Sequence, residues 1–200
     1  MRQLLAITAA LAVSACTHDI EVNSSSAASS EVMANRIIQR PAFYVFSDDL
    51  KDLNKDVHYP GMRCSAHDFP LQLGNAVTET LRKATEAGFA HVESAGAGTP
   101  PPQDGYLVRF SFEDLTTNIG MTPGFFEGTA HATVELTVRV AVADSNGTDV
   151  AKAVLDGEGS ADAGGDCPAA GDALQQASEK AVKRLGLEYV DKIINTNVLK

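Results

Sequence analysis

Thr129-Ala130-His131-Ala132-Thr133-Val134-Glu135-Leu136-Thr137-Val138-Arg139-Val140-Ala141-Val142 alternates without a break. Its even positions carry Ala130, Ala132, Val134, Leu136, Val138, Val140 and Val142. Their odd neighbours are mostly polar, with Thr129, His131, Thr133, Glu135, Thr137 and Arg139 among them. A period of two over that length predicts a long antiparallel strand with one dry and one wet face. Downstream, Asp144-Ser145-Asn146-Gly147-Thr148 supplies an Asn-Gly turn and residues 150–157 the returning strand. Upstream, Tyr106-Leu107-Val108-Arg109-Phe110-Ser111-Phe112-Glu113 repeats the alternation, with Tyr106, Val108, Phe110 and Phe112 on the dry side.

A dry face needs a cover, and two stretches supply one. Residues 70–87 place Leu73, Val77, Leu81 and Ala84 at helical spacing, with Asp68 to cap the start and Gly88 to end it. Residues 168–195 do the same with Leu174, Ala177, Ala181, Leu185, Tyr189 and Ile193, and Gly186 weakens the middle by about 1 kcal/mol relative to alanine. Pro41-Ala42-Phe43-Tyr44-Val45-Phe46 reads as a first strand, at whose start or edge Pro41 belongs. Residues 47–60 read as a loop or a single helical turn, and residues 89–94 as a short returning strand. The order is β-α-β-β-β-α. This predicts an α+β fold, a mainly antiparallel sheet of about four strands with two helices packed on one face.

The chain opens with Met1-Arg2 and then runs uncharged from Leu4 to Val13. That run is a signal-peptide core, too short for the roughly 20 apolar residues of a membrane-spanning helix. It closes in Val13-Ser14-Ala15-Cys16, which resembles the lipobox of bacterial lipoproteins. The resemblance implies cleavage before Cys16 and lipid on its thiol. Thr17 follows in place of the aspartate of an inner-membrane retention signal, which implies the periplasmic face of the outer membrane. Residues 1–15 are then the signal peptide, 16–35 a lipid-anchored flexible tether centred on the Ser-rich stretch 23–30, and 36–200 a single periplasmic domain. With Cys16 assigned to lipid, Cys64 and Cys167 remain, and in an oxidising compartment they read as a disulfide. In lipobox, tether, element order and size, the chain resembles small outer-membrane accessory lipoproteins of the kind of LptE, LpoB and the YajG group.

The formal net charge is −10. An acidic surface argues against nucleic acid and against electrostatic adhesion to anionic lipid, which leaves the lipid on Cys16 as the membrane contact. Catalytic and metal readings are thin. His58, Cys64, His67 and Asp68 have Cys-x-x-His spacing but no second ligand pair, and Cys64 is claimed by Cys167. Ser65, His67 and Asp68 are triad residue types, yet they are chain neighbours with no Gly-x-Ser-x-Gly elbow. Residues 156–166 space oxygen ligands like a calcium loop, but Ala161 stands where the sharp-turn glycine belongs and Cys167 where the closing glutamate belongs. A flexible acidic loop is the simpler reading. His91 and His131 stand alone. No catalytic residue, metal or cofactor is expected.

Residues 116–128 read as a long loop carrying Ile119, Met121, Phe125 and Phe126 among three glycines, a surface for docking a partner or a lid tucked onto the domain. The expectation is a non-enzymatic accessory protein that docks onto an envelope protein complex. The alternative is a binding module for a small or glycan-like envelope ligand.

Overall fold

The computed structural model describes residues 16–23, 34–59, 64–124 and 128–199. The expected signal peptide, most of the Ser-rich stretch, and Phe125 and Phe126 lie outside them. In chain order the elements are β1 (Cys16–Thr17), β2 (Ile20–Glu21), β3 (Ala42–Phe46), α1 (Asp48–Lys51), β4 (Asn54–His58), β5 (His67–Gln72), α2 (Gly74–Gly88), β6 (Val92–Ser94), β7 (Tyr106–Thr122), β8 (Gly128–Ala143), β9 (Asp149–Gly165) and α3 (Pro168–Tyr189), which widens into a π-helical turn over Val190–Ile194.

Among the described residues the class is α+β, but the strands form two sheets where one was expected. The larger has the order β6-β3-β7-β8-β9. Strands β7, β8 and β9 are antiparallel, and β3 lies inside the sheet, parallel to both β6 and β7. Pro41 immediately precedes β3, so its missing N–H costs the ladder nothing. The buried even positions of β8 face the helices. Phe110 meets Tyr189 edge-on at 5.1 Å, the Thr85 and Tyr189 hydroxyls lie 3.3 Å apart, and a Cβ on Gly88 would strike Ile194, which sets α2 beside α3 over this dry face.

Several expected boundaries move. The stretch read as a docking loop is strand as far as Thr122, and only residues 123–127 connect β7 to β8. The register shifts between Phe112 and Asp114, where Glu113 is the extra residue of a bulge. A bulge reverses which parity faces inward, so the dry positions pass from even to odd, to Leu115, Ile119 and Met121. Ile119 is buried and Met121 packs on the core, so neither belongs to an exposed docking loop. Of the acidic stretch 156–166, residues 156–165 are also strand, the second half of β9 paired along β8. Helix α2 begins at Gly74, without side-chain capping, because residues 67–72 are β5 and Asp68 lies within that strand.

The smaller sheet has no counterpart in the expected order. Strand β5 pairs antiparallel with β4 and parallel with β1 and β2. Cys16 and Thr17 pair with His67 and Asp68, and Ile20 and Glu21 with Leu71 and Gln72. The gap between the two pairings falls at Pro70, which has no N–H to offer. The start of the expected tether is therefore a docked strap: Ile20 and Val22 are core residues.

Candidate functional site

Around the strap, the disulfide beneath it and the cleft beside it, several side chains of functional type gather. Cys16 carries a free, exposed thiol. Its N–H donates to the Ala66 carbonyl at 3.0 Å, and the His18 N–H to the Asp68 carbonyl at 2.9 Å. The His18 ring stacks on His67 with centroids 5.1 Å apart and on Phe69 at 5.5 Å. His18 Nε2 and His67 Nδ1 lie 2.9 Å apart, so one ring donates and the other accepts. Two residues before Ala66, Cys64 is bonded to Cys167 with Cα atoms 5.6 Å apart, joining the start of β5 to the start of α3.

This geometry separates the residues of the metal and triad readings. Cys64 is spent on the disulfide, His67 faces His18, and His58 Nδ1 lies 2.8 Å from Asp68 Oδ1. No group of three or more His, Cys, Asp or Glu among the described residues is arranged to hold a metal ion. Asp156, Glu158 and Asp162 of the calcium-loop reading project from an extended strand and do not fold around a point.

On the other side of the strap, a cleft of about 570 Å³ opens between β2, β4, β5 and the start of α2. Glu21, Asp52, Asn54, Asp56, Gln72 and Asn75 give it a polar lining, with Val22, Pro70 and Leu71 as its apolar part. Gly74 also lines it, at a position closed to any side chain because a Cβ there would lie 2.0 Å from the Lys51 carbonyl oxygen. Lys55 is held by the Leu115 carbonyl at 2.5 Å. The cleft presents hydroxyl-matching amides and carboxylates, with Lys51 and Lys55 also in its lining. Its polar lining suits recognition of a polar ligand. A shallower groove nearby, lined by Tyr44, Phe46 and Ser94, is edged by Arg82, whose hydrogen bonds hold the Glu79 carboxyl below its ordinary range.

His131, read as solitary, lies between Thr122 Oγ1 at 2.8 Å and Asp162 Oδ1 at 2.6 Å. The line of hydroxyl, imidazole and carboxylate crosses three strands on the wet face. The His131 and Asp162 side chains are 46% and 69% exposed, and the line joins β7, β8 and β9 as a cross-strand staple. Sequence reasoning missed it because Thr122 was assigned to a loop and Asp162 to another. Neither the strap nor the cleft has a sequence signal beyond the apolar Ile20 and Val22 in an otherwise polar stretch.

No family model matches the chain, and no curated protein matches it. Among solved structures it is similar to a minor lipoprotein from Acinetobacter baumannii, at 11% identity and a TM-score of 0.42, covering 77% of this chain and 91% of that one. It is also similar to a protein from Helicobacter pylori described as a homolog of neuraminyllactose-binding hemagglutinin, at 7% identity and a TM-score of 0.47, covering 82% and 90%. A third similarity is to the hypothetical protein CT253 from Chlamydia trachomatis, at 13% identity and a TM-score of 0.28, covering 61% and 73%. All three are loose, and no residue role passes from them to this chain. Among the described residues, no helix is long and apolar enough to cross a membrane.

Proposed function

We propose that the chain is a non-enzymatic accessory lipoprotein of the bacterial envelope, anchored by lipid on Cys16 at the periplasmic face of the outer membrane and docking onto an envelope protein complex. The observation that carries this reading is the run Val13-Ser14-Ala15-Cys16, whose cysteine has an exposed thiol free to take a diacylglycerol. Two or three acyl chains, at about 0.8 kcal/mol per buried CH₂, make such an anchor stable. Docking is supported by the broad wet face of β7, β8 and β9, which runs the length of the larger sheet opposite its helices. Mass spectrometry of the membrane-extracted protein tests the anchor: the expected product begins at a lipidated Cys16, and an intact Met1 end or an unmodified Cys16 overturns it. Photo-crosslinking in cells from Glu135, on the wet face, tests docking, with a discrete envelope protein as the expected product.

A second reading is favoured by the polar cleft between strap and α2. There the protein binds a small or glycan-like envelope ligand through Glu21, Asn54, Gln72 and Asn75. Calorimetric titration with soluble cell-wall glycan fragments separates the two. Heat that disappears in Gln72→Ala supports ligand binding, and its absence leaves docking as the function.

A further inference from the structure

The strap places the lipidation residue against the body of the domain. We infer that the end of the domain around Cys16 and the start of α3 is a bilayer-facing surface, held flush against phospholipid, with no free tether between lipid and protein. This rests on the reading of Cys16 as the acylated residue.

The path of the chain is the first argument. Pairing with β5 begins at Cys16 itself, and by Ile20 and Val22 the strap is in the core, with 4% and 8% of their surfaces exposed. The Ser-rich stretch lies downstream of this docked segment, so it does not stand between the lipid and the domain. Cleavage before Cys16 leaves a nitrogen that, acylated, still has one N–H to donate to the Ala66 carbonyl.

What the strap is fastened to is the second argument. The Ala66 carbonyl lies two residues from Cys64, whose disulfide reaches the residue before α3. A Cβ on Gly171, in the first turn of α3, would lie 3.5 Å from the Phe69 ring and 3.8 Å from the Ile20 side chain. Cys16 therefore sits at the end where α3 starts. Strand β9 finishes and β8 begins at the same end, with Gly165 paired to Gly128. The Asn146-Gly147 turn is at the other end of the 16-residue β8, roughly 50 Å away at 3.4 Å per residue. Acyl chains on Cys16 thus fix which end of the long hairpin meets the membrane and send the other end outward. With the strap released from β5, the lipid no longer sets the direction of the hairpin, and the domain is free to turn over.

The chain contains no tryptophan, so an introduced one is a clean donor. The lipidated full-length protein, its acylation verified by mass spectrometry, is reconstituted in phosphatidylethanolamine and phosphatidylglycerol vesicles carrying a dansyl-headgroup lipid. Energy transfer is then compared between Ala66→Trp and Asn146→Trp, both at exposed positions. Expected is transfer from position 66 at least about tenfold above that from position 146, given their separation by the length of a long strand. In an Ile20→Asp/Val22→Asp background, with the fold verified by circular dichroism, the two signals converge to within about twofold, as for a free tether. Equal transfer from the two positions in the otherwise unchanged, acylated protein overturns the flush orientation and leaves the anchor standing. An unacylated Cys16 overturns the anchor and this inference together.

Discussion

A Cβ built on Gly159 would lie 2.0 Å from the Ala177 carbonyl oxygen, and one on Gly157 2.4 Å from that of Ala181. Strand β9 therefore passes beneath α3 at two points where any side chain meets helix backbone, which cannot swing away. Gly159→Ala is expected to lower stability by about 1–3 kcal/mol, the usual cost of overpacking, in urea unfolding. Gly120→Ala, at a site with nothing within 4 Å, should stay within about 0.5 kcal/mol of the parent. Tyr189 gives a pH prediction at the same scale. Its complete burial raises the hydroxyl pKa well above the ordinary 10.0, against a smaller opposite effect of Thr85. Above pH 10 the unfolded chain gives up this proton while the folded one keeps it, so unfolding becomes easier as pH rises. Tyr189 contributes fully below pH 10, and above it that contribution falls by about 1.4 kcal/mol per pH unit until the folded group titrates. Denaturant titrations in alkali should show this component in the parent and not in Tyr189→Phe; identical slopes would falsify it. These residues also mark what a sequence conceals. The apolar parity of β8 announced which side chains are dry, but Gly157 stood at the end of a predicted strand and Gly159 in a predicted loop, because the reason for them is the helix backbone at Ala181 and Ala177, far downstream in sequence.

At the scale of elements, what was legible followed strict period and what was missed broke it. Strand β8 has no interruption, and both its faces could be assigned from alternation alone. Strand β7 has the same alternation reversed halfway by the bulge at Glu113, and the reversed half was mistaken for a loop. The second half of strand β5 was absorbed into the helix behind it, since Leu73 opens a helical stripe and Pro70 resembles a helix start. What tolerates Pro70 is a gap in the partner strap, which no local pattern reports. The cysteines were a different kind of signal, a count and a compartment, and their pairing spans 103 positions of sequence. In the chain-entropy description, a loop of about 100 residues gives a bridge up to about 4.7 kcal/mol. Replacing both cysteines by alanine should cost about 3–5 kcal/mol, read as a lowered urea midpoint. Because the bridge holds β5 to the start of α3, hydrogen exchange should also rise first in β5 and the strap. Uniform exchange across both sheets would show that the bridge acts only on the unfolded chain.

For the whole molecule, the proposed anchor sets two terms of opposite sign against each other. The chain carries a formal charge of −10, and an anionic bilayer repels it over a Debye length of about 10 Å at 0.1 M salt. The strap, if Cys16 is acylated, brings the domain well within that distance, so association cannot come from charge and must come from buried hydrocarbon. That sets the expected behaviour in vesicle flotation. Acylated protein should float with anionic vesicles at low and high salt alike, since two acyl chains outweigh the repulsion of a folded acidic surface. Cys16→Ser protein made without residues 1–15 should stay in the aqueous fraction at both, and most completely at low salt, where the repulsion reaches furthest. Flotation of the serine variant that weakens as salt rises would place a basic lipid-binding patch somewhere on the domain. Flotation that survives high salt would mean instead that an apolar surface of the domain, and not the anchor, holds it to the membrane.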